Sequence, residues 1–236
     1  MQLFYHPSLI PDSQEVTFDK TESRHLVRVL RKKEGDLVSI TNGAGYLFTG
    51  CIKTANDKKC TVEITTVEAR QKNRAYSLHI AIAPTKLNDR FEWFLEKATE
   101  IGIDQITPIV CEHSERKVLK IERMEKILQT AAKQSLHCHF PILNPAINFK
   151  DFIQQDLKGL LCIAHCEERD KQALKTVLKP GQNTTILIGP EGDFSKGEIT
   201  QALAHQFIPV SLGDSRLRTE TAGVVAVHSA AFINQL

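Results

Sequence analysis

The sequence predicts an α/β protein that combines a small β-rich unit with a parallel sheet covered by helices on both faces. Two observations carry this prediction. Short strand patterns separated by polar turns fill the first 70 residues, whereas strand and helix patterns alternate from residue 76 onward. Such alternation is typical of a parallel sheet between two layers of helices. Residues 70–74 are charged and polar without apolar side chains, so they are the predicted linker between domains 1–70 and 71–236.

The first unit is predicted to contain one helix and three strands. Residues 21–32 place Leu26, Val29 and Leu30 at helical spacing. An Asn-Gly pair at 42–43 is a strong signal for a hairpin turn. The predicted strands are residues 37–41, 46–54 and 60–69.

The second unit is predicted to alternate strands with helices. The predicted strands are residues 78–83, 105–110, 159–165, 184–189 and 208–212. The predicted helices are residues 89–101, 121–138, 148–156, 170–178, 196–206 and 219–234. Gly102 is placed to end the first of these helices. Ser195 and Glu198 form the capping-box pattern that begins helix 196–206.

Composition places the chain among ordinary globular proteins. Of its 236 residues, 42% are hydrophobic and 25% are charged, and the net charge of +2 permits nucleic-acid binding without requiring it. No apolar run reaches the roughly 20 residues of a membrane span, and the first residues lack a signal-peptide pattern. The protein is therefore expected in the cytoplasm, away from membranes. Six cysteines without a CxxC pair favour reduced thiols, and no metal is expected.

Two glycine-bearing turns follow two apolar strands and are the main candidates for a site. The first is the Gly-Pro-Glu-Gly turn at 189–192, and the second begins at Gly213 and leads through Arg216 and Arg218 to Glu220. Because ligands of open α/β sheets bind at the carboxyl ends of strands, both turns are expected to form one site. They lack the lysine of a P-loop and the spaced glycines of a dinucleotide fingerprint, which favours an adenosyl group without phosphate. Either turn taken alone is more typical of an ordinary structural turn.

Basic residues form two clusters. Arg24, Arg28 and Arg31 recur at i, i+4 and i+7 of the predicted helix, with Lys32 beside them. A second cluster surrounds residues 116–117. These side chains form either a solvated surface or a surface that binds the phosphates of nucleic acid.

The motifs at the two turns resemble those of the 16S ribosomal RNA uridine N3-methyltransferases, a family of the SPOUT class. The resemblance rests on Ile188-Gly189-Pro190-Glu191-Gly192, then Leu212-Gly213, then Leu217-Arg218-Thr219-Glu220-Thr221-Ala222. Segments around His25 and over residues 97–102 extend it across the whole chain. It implies an N-terminal PUA-like RNA-binding domain, a trefoil knot, S-adenosylmethionine as cofactor and a uridine of small-subunit ribosomal RNA as substrate. It also implies a homodimer, in agreement with helix 219–234, which is apolar over more of its surface than one buried stripe requires.

The resemblance also implies roles for individual residues. The cofactor is expected to contact Ile188, Gly189, Pro190, Glu191, Gly192, Leu212, Gly213, Leu217, Thr221 and Ala222. Arg218 is expected to contact the uracil oxygens on which negative charge develops. Glu220 is expected to orient that arginine or to act as base. A carboxylate in the first turn of a helix is equally typical of helix stabilisation. Thr219 is a candidate N-cap. RNA contacts are expected from Arg24, Arg28, Arg31, Lys32, Arg116, Lys117 and Arg216.

The chain departs from the family pattern at two positions. Ser215 stands where the family commonly has arginine, and Lys133 stands where it more often has glutamate. Two alternatives to this function remain open: a ribosome-binding protein without catalysis, and a knotted methyltransferase that acts on another RNA position. Cofactor binding distinguishes the first alternative, and the identity of the methylated nucleoside distinguishes the second.

Overall fold

The computed structural model describes residues 2–72, 74–168 and 170–235, and the chain forms two compact units. The first comprises Met1–Asn73 and Gln129–Phe140, and the second comprises Arg74–Leu128 and Pro141–Leu236. Residues 129–140, which the predicted second domain includes, thus cluster with the first unit. The predicted linker contains Asn73, which lies outside the described residues.

Within its described residues, the first unit contains a five-stranded sheet. The strands are β1 (Leu3–Tyr5), β2 (Glu15–Thr17), β3 (Leu37–Thr41), β4 (Tyr46–Thr54) and β5 (Thr61–Ala69), in the order β1-β3-β4-β5-β2. β1 pairs with β3 in parallel, and the other neighbours are antiparallel. The predicted β-rich character is confirmed, and β3, β4 and β5 match the predicted strands to within one residue. β1 and β2 are too short to give a periodic pattern in the sequence.

The single helix predicted over residues 21–32 is wrong in its second half. α1 (Lys20–Arg24) is α-helical, but His25–Val29 forms a π-helical turn. Arg31 then adopts a left-handed backbone with φ 55°. The three arginines therefore do not form the one regular helical face that their spacing predicts. Val29, predicted as part of the apolar stripe, is 65% exposed.

The described part of the second unit contains an eight-stranded sheet in which every pairing is parallel. The strands are β6 (Leu78–Ile82), β7 (Gln105–Val110), β8 (Ile142–Leu143), β9 (Ile147–Asn148), β10 (Leu160–Ala164), β11 (Gln172–Ala173), β12 (Thr184–Ile188) and β13 (Ile208–Ser211). Their order is β11-β13-β10-β12-β6-β7-β8, and β9 also pairs with β7. The predicted parallel sheet is confirmed, whereas the trefoil knot remains a prediction.

Helices cover both faces of this sheet, as predicted. They are α2 (Asn88–Ile101), α3 (Ile121–Gln134), α4 (Phe149–Ile153), α5 (Leu174–Val177), α6 (Lys196–Ala204) and α7 (Thr219–Ile233). Side chains of β6 alternate between the faces, so that Ile80 packs in the core with α2 and α7, and Ala81 packs in the core with α4 and α6. Among the described residues, no helix is long and apolar enough to cross a membrane.

Three predicted helices are too long. Of the helix predicted over residues 148–156, only α4 is present. The helix predicted over residues 170–178 is instead β11 followed by the single turn of α5. Their apolar side chains span little more than one turn, which is too little to stabilise a longer helix. The helix predicted to residue 138 ends at Gln134, because Leu136 adopts a left-handed backbone (φ 59°) that closes helices and is usually taken by glycine.

Residues 129–140 pack in the first unit through specific contacts. The Lys133 ammonium lies 2.6 Å from the Glu22 carboxylate. The Phe140 ring lies 4.7 Å from the Tyr5 ring. Lys133, one of the two departures from the family pattern, therefore has an acidic partner in this chain.

Two predicted helix-terminal signals are confirmed, and a third is wrong. Gly102 ends α2 with φ 112°, and both hydrogen bonds of the Ser195–Glu198 capping box are present at the start of α6. Thr219 is not the N-cap of α7, because Arg218 occupies that position without a side-chain cap. The Thr219 hydroxyl instead donates to the Gly189 carbonyl at 3.1 Å. This bond joins the start of α7 to the turn after β12.

Candidate functional site

A pocket of about 620 Å³ lies at the carboxyl ends of β10, β12 and β13 in the second unit. Its wall is formed by Ala164, His165, Cys166, Lys171, Ile188, Gly189, Pro190, Glu191, Asp193, residues 210–219 and Ala222. Both predicted turns therefore line one pocket, because parallel strands place their carboxyl ends at the same edge of a sheet. The segment after β10 adds a third side.

The turn after β12 is anchored by its own carboxylates. Glu191 Oε1 accepts the N–H of Lys86 at 2.9 Å. Asp193 Oδ2 accepts the N–H of Cys166 at 2.7 Å, and Oδ1 accepts that of Phe194 at 2.8 Å. These bonds connect the turn to the segments that follow β6 and β10.

Two glycines of this turn have little room for a side chain. A Cβ on Gly189 would lie 3.0 Å from the Phe194 ring, and one on Gly192 would lie 3.0 Å from the Cβ of His113. His113 Nδ1 lies 3.1 Å and 3.0 Å from the carbonyl oxygens of Gly192 and Asp193. Because both partners only accept, Nδ1 carries the proton. The imidazole therefore fixes the far end of the turn.

The segment that carries His113 is itself anchored by Glu198. This carboxylate is only 5% exposed and accepts the N–H of Glu112 at 2.9 Å. Its second oxygen accepts the N–H of Ser195 in the capping box at 2.9 Å. The side chain that caps α6 thus also supports the anchored turn.

The loop after β13 has few such anchors. Gly213 has φ 136°, and a Cβ there would meet nothing within 4 Å. The Ser211 hydroxyl donates to the Gly213 carbonyl at 2.9 Å. Arg216 and Arg218 are exposed and, within the described part of the chain, form neither ion pairs nor side-chain hydrogen bonds. Two guanidinium groups that line the pocket are therefore available to a ligand.

Glu220 pairs with a residue that the sequence does not indicate. It is 7% exposed, and its Oε1 lies 3.8 Å from Nε of Arg90 in α2. Its Oε2 is buried and accepts no hydrogen bond from any described residue. Glu220 was expected to orient Arg218, but in this structure its ion-pair partner is Arg90. Glu220 also does not line the pocket wall.

Most of the predicted cofactor residues line the pocket. They are Ile188, Gly189, Pro190, Glu191, Leu212, Gly213, Leu217 and Ala222. Gly192 and Thr221 do not. Gly192 faces His113, and Thr221 precedes Ala222 by one residue in α7, where each residue rotates the side chain by about 100°.

Sequence reasoning missed one side of the pocket, the segment that follows β10. It contributes Ala164, His165, Cys166 and Lys171. Ligands of open α/β sheets bind at the carboxyl ends of strands, and this holds for β10 as it does for β12 and β13. Its residues carry no glycine motif, so the sequence gives no further signal.

The predicted RNA contact at Arg116 has a structural role. Its Nε lies 3.1 Å from the carbonyl oxygens of both Thr85 and Lys86, and its Nη2 donates to Lys86 at 2.6 Å. The guanidinium therefore stabilises the segment after β6, and its remaining N–H groups and its charge stay available to a phosphate. Lys117 is exposed.

The basic cluster of the first unit is on the surface. Arg24, Arg28 and Arg31 are exposed. Arg28 pairs with Asp57 at 2.8 Å, and this bond lowers the pKa of the Asp57 carboxyl. The Lys32 ammonium donates to a backbone carbonyl at 3.3 Å. Arg31 and Lys32, together with Lys33 and Glu34, line a shallow pocket of about 530 Å³.

The described residues contain no group of three His, Cys, Asp or Glu side chains suited to a metal ion. The cysteines are free thiols. Burial raises the pKa of Cys162 to about 12, so this thiol stays protonated near neutral pH.

Comparisons with known families cover nearly the whole chain. A family model described as an RNA methyltransferase domain matches residues 71–231, and one described as an RNA methyltransferase PUA domain matches residues 18–65. Ribosomal RNA small subunit methyltransferase E of Buchnera aphidicola is 30% identical to this chain, over 92% of this chain and 87% of the relative.

Solved structures give the same result. The crystal structure of a probable rRNA-methyltransferase from Porphyromonas gingivalis has a TM-score of 0.93 and 42% identity, over 100% of this chain and 99% of that one. A methyltransferase from Legionella pneumophila, solved in complex with the bound cofactor SAM, has a TM-score of 0.86 and 27% identity. The match covers 95% of this chain and 94% of that one.

Proposed function

The chain belongs to the RNA methyltransferase family, and we propose that it transfers a methyl group from S-adenosylmethionine to N3 of a uridine in small-subunit (16S) ribosomal RNA. The relative named as a ribosomal RNA small subunit methyltransferase supports the RNA substrate. The SAM-bound structure at 27% identity supports the cofactor. The position N3 is supported by the family resemblance of residues 188–192, 212–213 and 217–222.

The observation that carries this proposal is the pocket between the two glycine-bearing turns. Its volume of about 620 Å³ lies in the usual range of small-molecule sites. Its wall offers backbone groups and apolar side chains, and the turn after β12 (residues 188–193) contains no cation that would neutralise a phosphate. These features suit an adenosyl group. S-adenosylmethionine, when bound, supplies an activated methyl group.

Arg218 is the proposed catalytic residue. N3 of uracil carries an imide proton, and its loss spreads negative charge over the two neighbouring carbonyl oxygens. A guanidinium that donates to those oxygens stabilises this charge. Arg218 suits the role because it lines the pocket and has no ion-pair partner among the described residues. The remaining requirement is alignment of N3 with the methyl group, which is a positioning task.

Glu220 remains the candidate proton acceptor. Its Oε1 lies near Arg90, while its buried Oε2 accepts no hydrogen bond from the described residues. A buried oxygen without a donor is costly, and because Glu220 does not line the pocket wall, it would receive the N3 proton through a water rather than from the uracil directly.

The first unit is proposed to bind RNA through its basic surface. The match to a PUA domain of RNA methyltransferases supports this assignment. Arg24, Arg31 and Lys32 supply charges without a carboxylate partner among the described residues. Such charges bind phosphates without selecting sequence.

We further propose that the protein is a cytoplasmic homodimer in which α7 contributes to the interface. Phe232 of α7 is 52% exposed and stacks with His228 at a centroid distance of 6.0 Å. Trp93 of α2 is 43% exposed. Light scattering at micromolar concentration is expected to give the dimer mass, and a monomer would contradict this part of the proposal. The cytoplasm follows from the proposed ribosomal substrate.

The function is tested by labelled methyl transfer. Purified protein, unmodified small ribosomal subunits and methyl-labelled S-adenosylmethionine are incubated, and the RNA is digested to nucleosides for mass spectrometry. The label is expected in 3-methyluridine, and it should be lost in a matched reaction with Arg218→Ala. Label in another nucleoside would show a different RNA position. RNA binding with neither label nor S-adenosylhomocysteine binding would indicate a non-catalytic RNA-binding protein.

A further inference from the structure

Lys171 lies in the pocket wall with an unusual set of partners. Its ammonium donates to the carbonyl oxygens of His165 at 3.0 Å and Glu167 at 2.9 Å. Both partners are neutral, and no carboxylate of the described residues pairs with this cation. A lysine ammonium has three donors, so one N–H and the net charge remain available.

Three carboxylates share the pocket wall with Lys171; those of Glu191 and Asp193 are engaged elsewhere, and Asp214 lies on the exposed loop after β13 and forms no ion pair among the described residues. Asp193 accepts two backbone N–H groups, and Glu191 accepts the N–H of Lys86. The Glu167 carboxylate lies 3.4 Å from the Lys196 ammonium. A half-buried cation without an anion is unfavourable, and its surroundings select for an anionic ligand.

We propose that Lys171 binds the carboxylate of the amino-acid portion of S-adenosylmethionine. This inference rests on the proposed function and adds to it the recognition of the cofactor's second end. The three walls of the pocket then have distinct partners. Backbone of the turn after β12 contacts the adenosyl group, Lys171 contacts the carboxylate, and Arg218 contacts the uracil.

Lys171 suits a cofactor carboxylate better than the two arginines of the same pocket. Arg216 and Arg218 are exposed on a loop with few anchors, whereas Lys171 is half-buried and its ammonium is positioned by two backbone carbonyls. A charge that is fixed before binding costs less entropy when the ligand arrives.

The test compares two ligands that differ only in the carboxylate: S-adenosylmethionine and decarboxylated S-adenosylmethionine. Calorimetry without RNA gives the dissociation constants for wild type, Lys171→Met and Lys171→Arg. Wild type is expected to prefer the carboxylate-bearing ligand by roughly ten- to a hundredfold, the usual scale of a hydrogen bond to a charged group. Lys171→Met should lose this preference by weakening S-adenosylmethionine binding alone, and Lys171→Arg should retain part of it.

Three controls separate the possible outcomes. Lys196→Met removes another lysine contact to the same segment without touching the pocket, and it should keep the full preference. Equal weakening of both ligands by Lys171→Met would show a merely structural role and overturn the proposal. Loss of the preference in Arg216→Gln or Arg218→Gln, with Lys171→Met unaffected, would also overturn it.

Two further results have separate meanings. If Lys171→Met does not fold, the test rests on the other two proteins: wild type must prefer S-adenosylmethionine, and Lys171→Arg must retain part of that preference. If the two dissociation constants of wild type are nearly equal, the assignment of Lys171 is overturned, while the proposed function stands. If wild type binds neither ligand, the proposed cofactor itself is wrong.

Discussion

The turn after β12 and the loop after β13 line the same pocket but are built in opposite ways. The first is fixed by carboxylates, by His113 and by the Thr219 hydroxyl, which together connect it to four other segments. The second is mostly exposed, and within the described chain residues 214–218 donate no backbone hydrogen bond. Among the described residues, Arg216 and Arg218 of this loop have no ion-pair partner.

This difference assigns each side of the pocket a task. A ligand recognised by backbone needs atoms that are already in position, because ordering them on binding would cost affinity. A loop that must admit a large RNA needs to adapt and needs charge that is not already neutralised. We therefore propose that the anchored turn serves mainly the cofactor, and that Arg216 and Arg218 of the loop after β13 serve the RNA and the chemistry.

The largest expected effect is that of Arg218→Ala. The single-turnover methylation rate with saturating RNA should fall by roughly 10²–10³, the scale of one lost electrostatic donor. Affinity for S-adenosylhomocysteine should barely change, since the proposed contacts to the adenosyl group come from backbone. Arg216→Ala is the matched control and should act mainly on RNA affinity. Equal slowing by both variants would show that Arg216 replaces the arginine missing at Ser215.

The converse effect is expected at Asp193. Asp193→Ala removes two charge-assisted hydrogen bonds and places alanine at φ 62°, so affinity for S-adenosylhomocysteine should fall by about ten- to a hundredfold. Asp193→Asn tolerates the same backbone, keeps one acceptor oxygen and should lose less. Calorimetry measures both variants. A fall in single-turnover rate at saturating cofactor, with affinity intact, would refute the assigned role.

A third prediction concerns the first unit, far from these turns in sequence. Combined replacement of Arg24, Arg31 and Lys32 by glutamine should flatten the slope of log affinity against log salt by about 2, because each neutralised single-strand phosphate contributes roughly 0.7. RNA affinity at moderate salt should fall about tenfold. Cofactor affinity should not change. Lys53→Gln removes an exposed lysine that already pairs with Glu15, and it is the control. An unchanged slope would leave the cluster as a solvated surface.

The smallest expected effect is that of His113→Ala. It removes the Nδ1–H donor to the Gly192 and Asp193 carbonyls and should weaken S-adenosylhomocysteine binding by about three- to tenfold. Circular dichroism should show an intact fold, because His113 is exposed. A loss as large as that of Asp193→Ala would mean that His113 contacts the ligand directly.

The sequence predicts the parallel sheet and both turns because strand–helix alternation and glycine placement are local signals. It does not predict the anchors of those turns, since Lys86, His113 and Cys166 are distant in sequence from residues 189–193. Local spacing also fails where the backbone leaves the α-helix, as at His25–Val29 and at Leu136. Nor does it indicate that Glu220 pairs with Arg90, because that contact depends on how α2 and α7 pack.

Amide hydrogen exchange of the ligand-free protein tests the central contrast most directly. The amides of Lys86, Cys166 and Phe194 donate to the carboxylates of the anchored turn and should exchange slowly. Amides of residues 214–218 should exchange near the rate of an unstructured chain, and S-adenosylhomocysteine should add protection mainly around the pocket. Rapid exchange at all three anchoring amides, comparable to that of residues 214–218, would contradict the assignment of a preformed cofactor wall and an adaptable RNA loop.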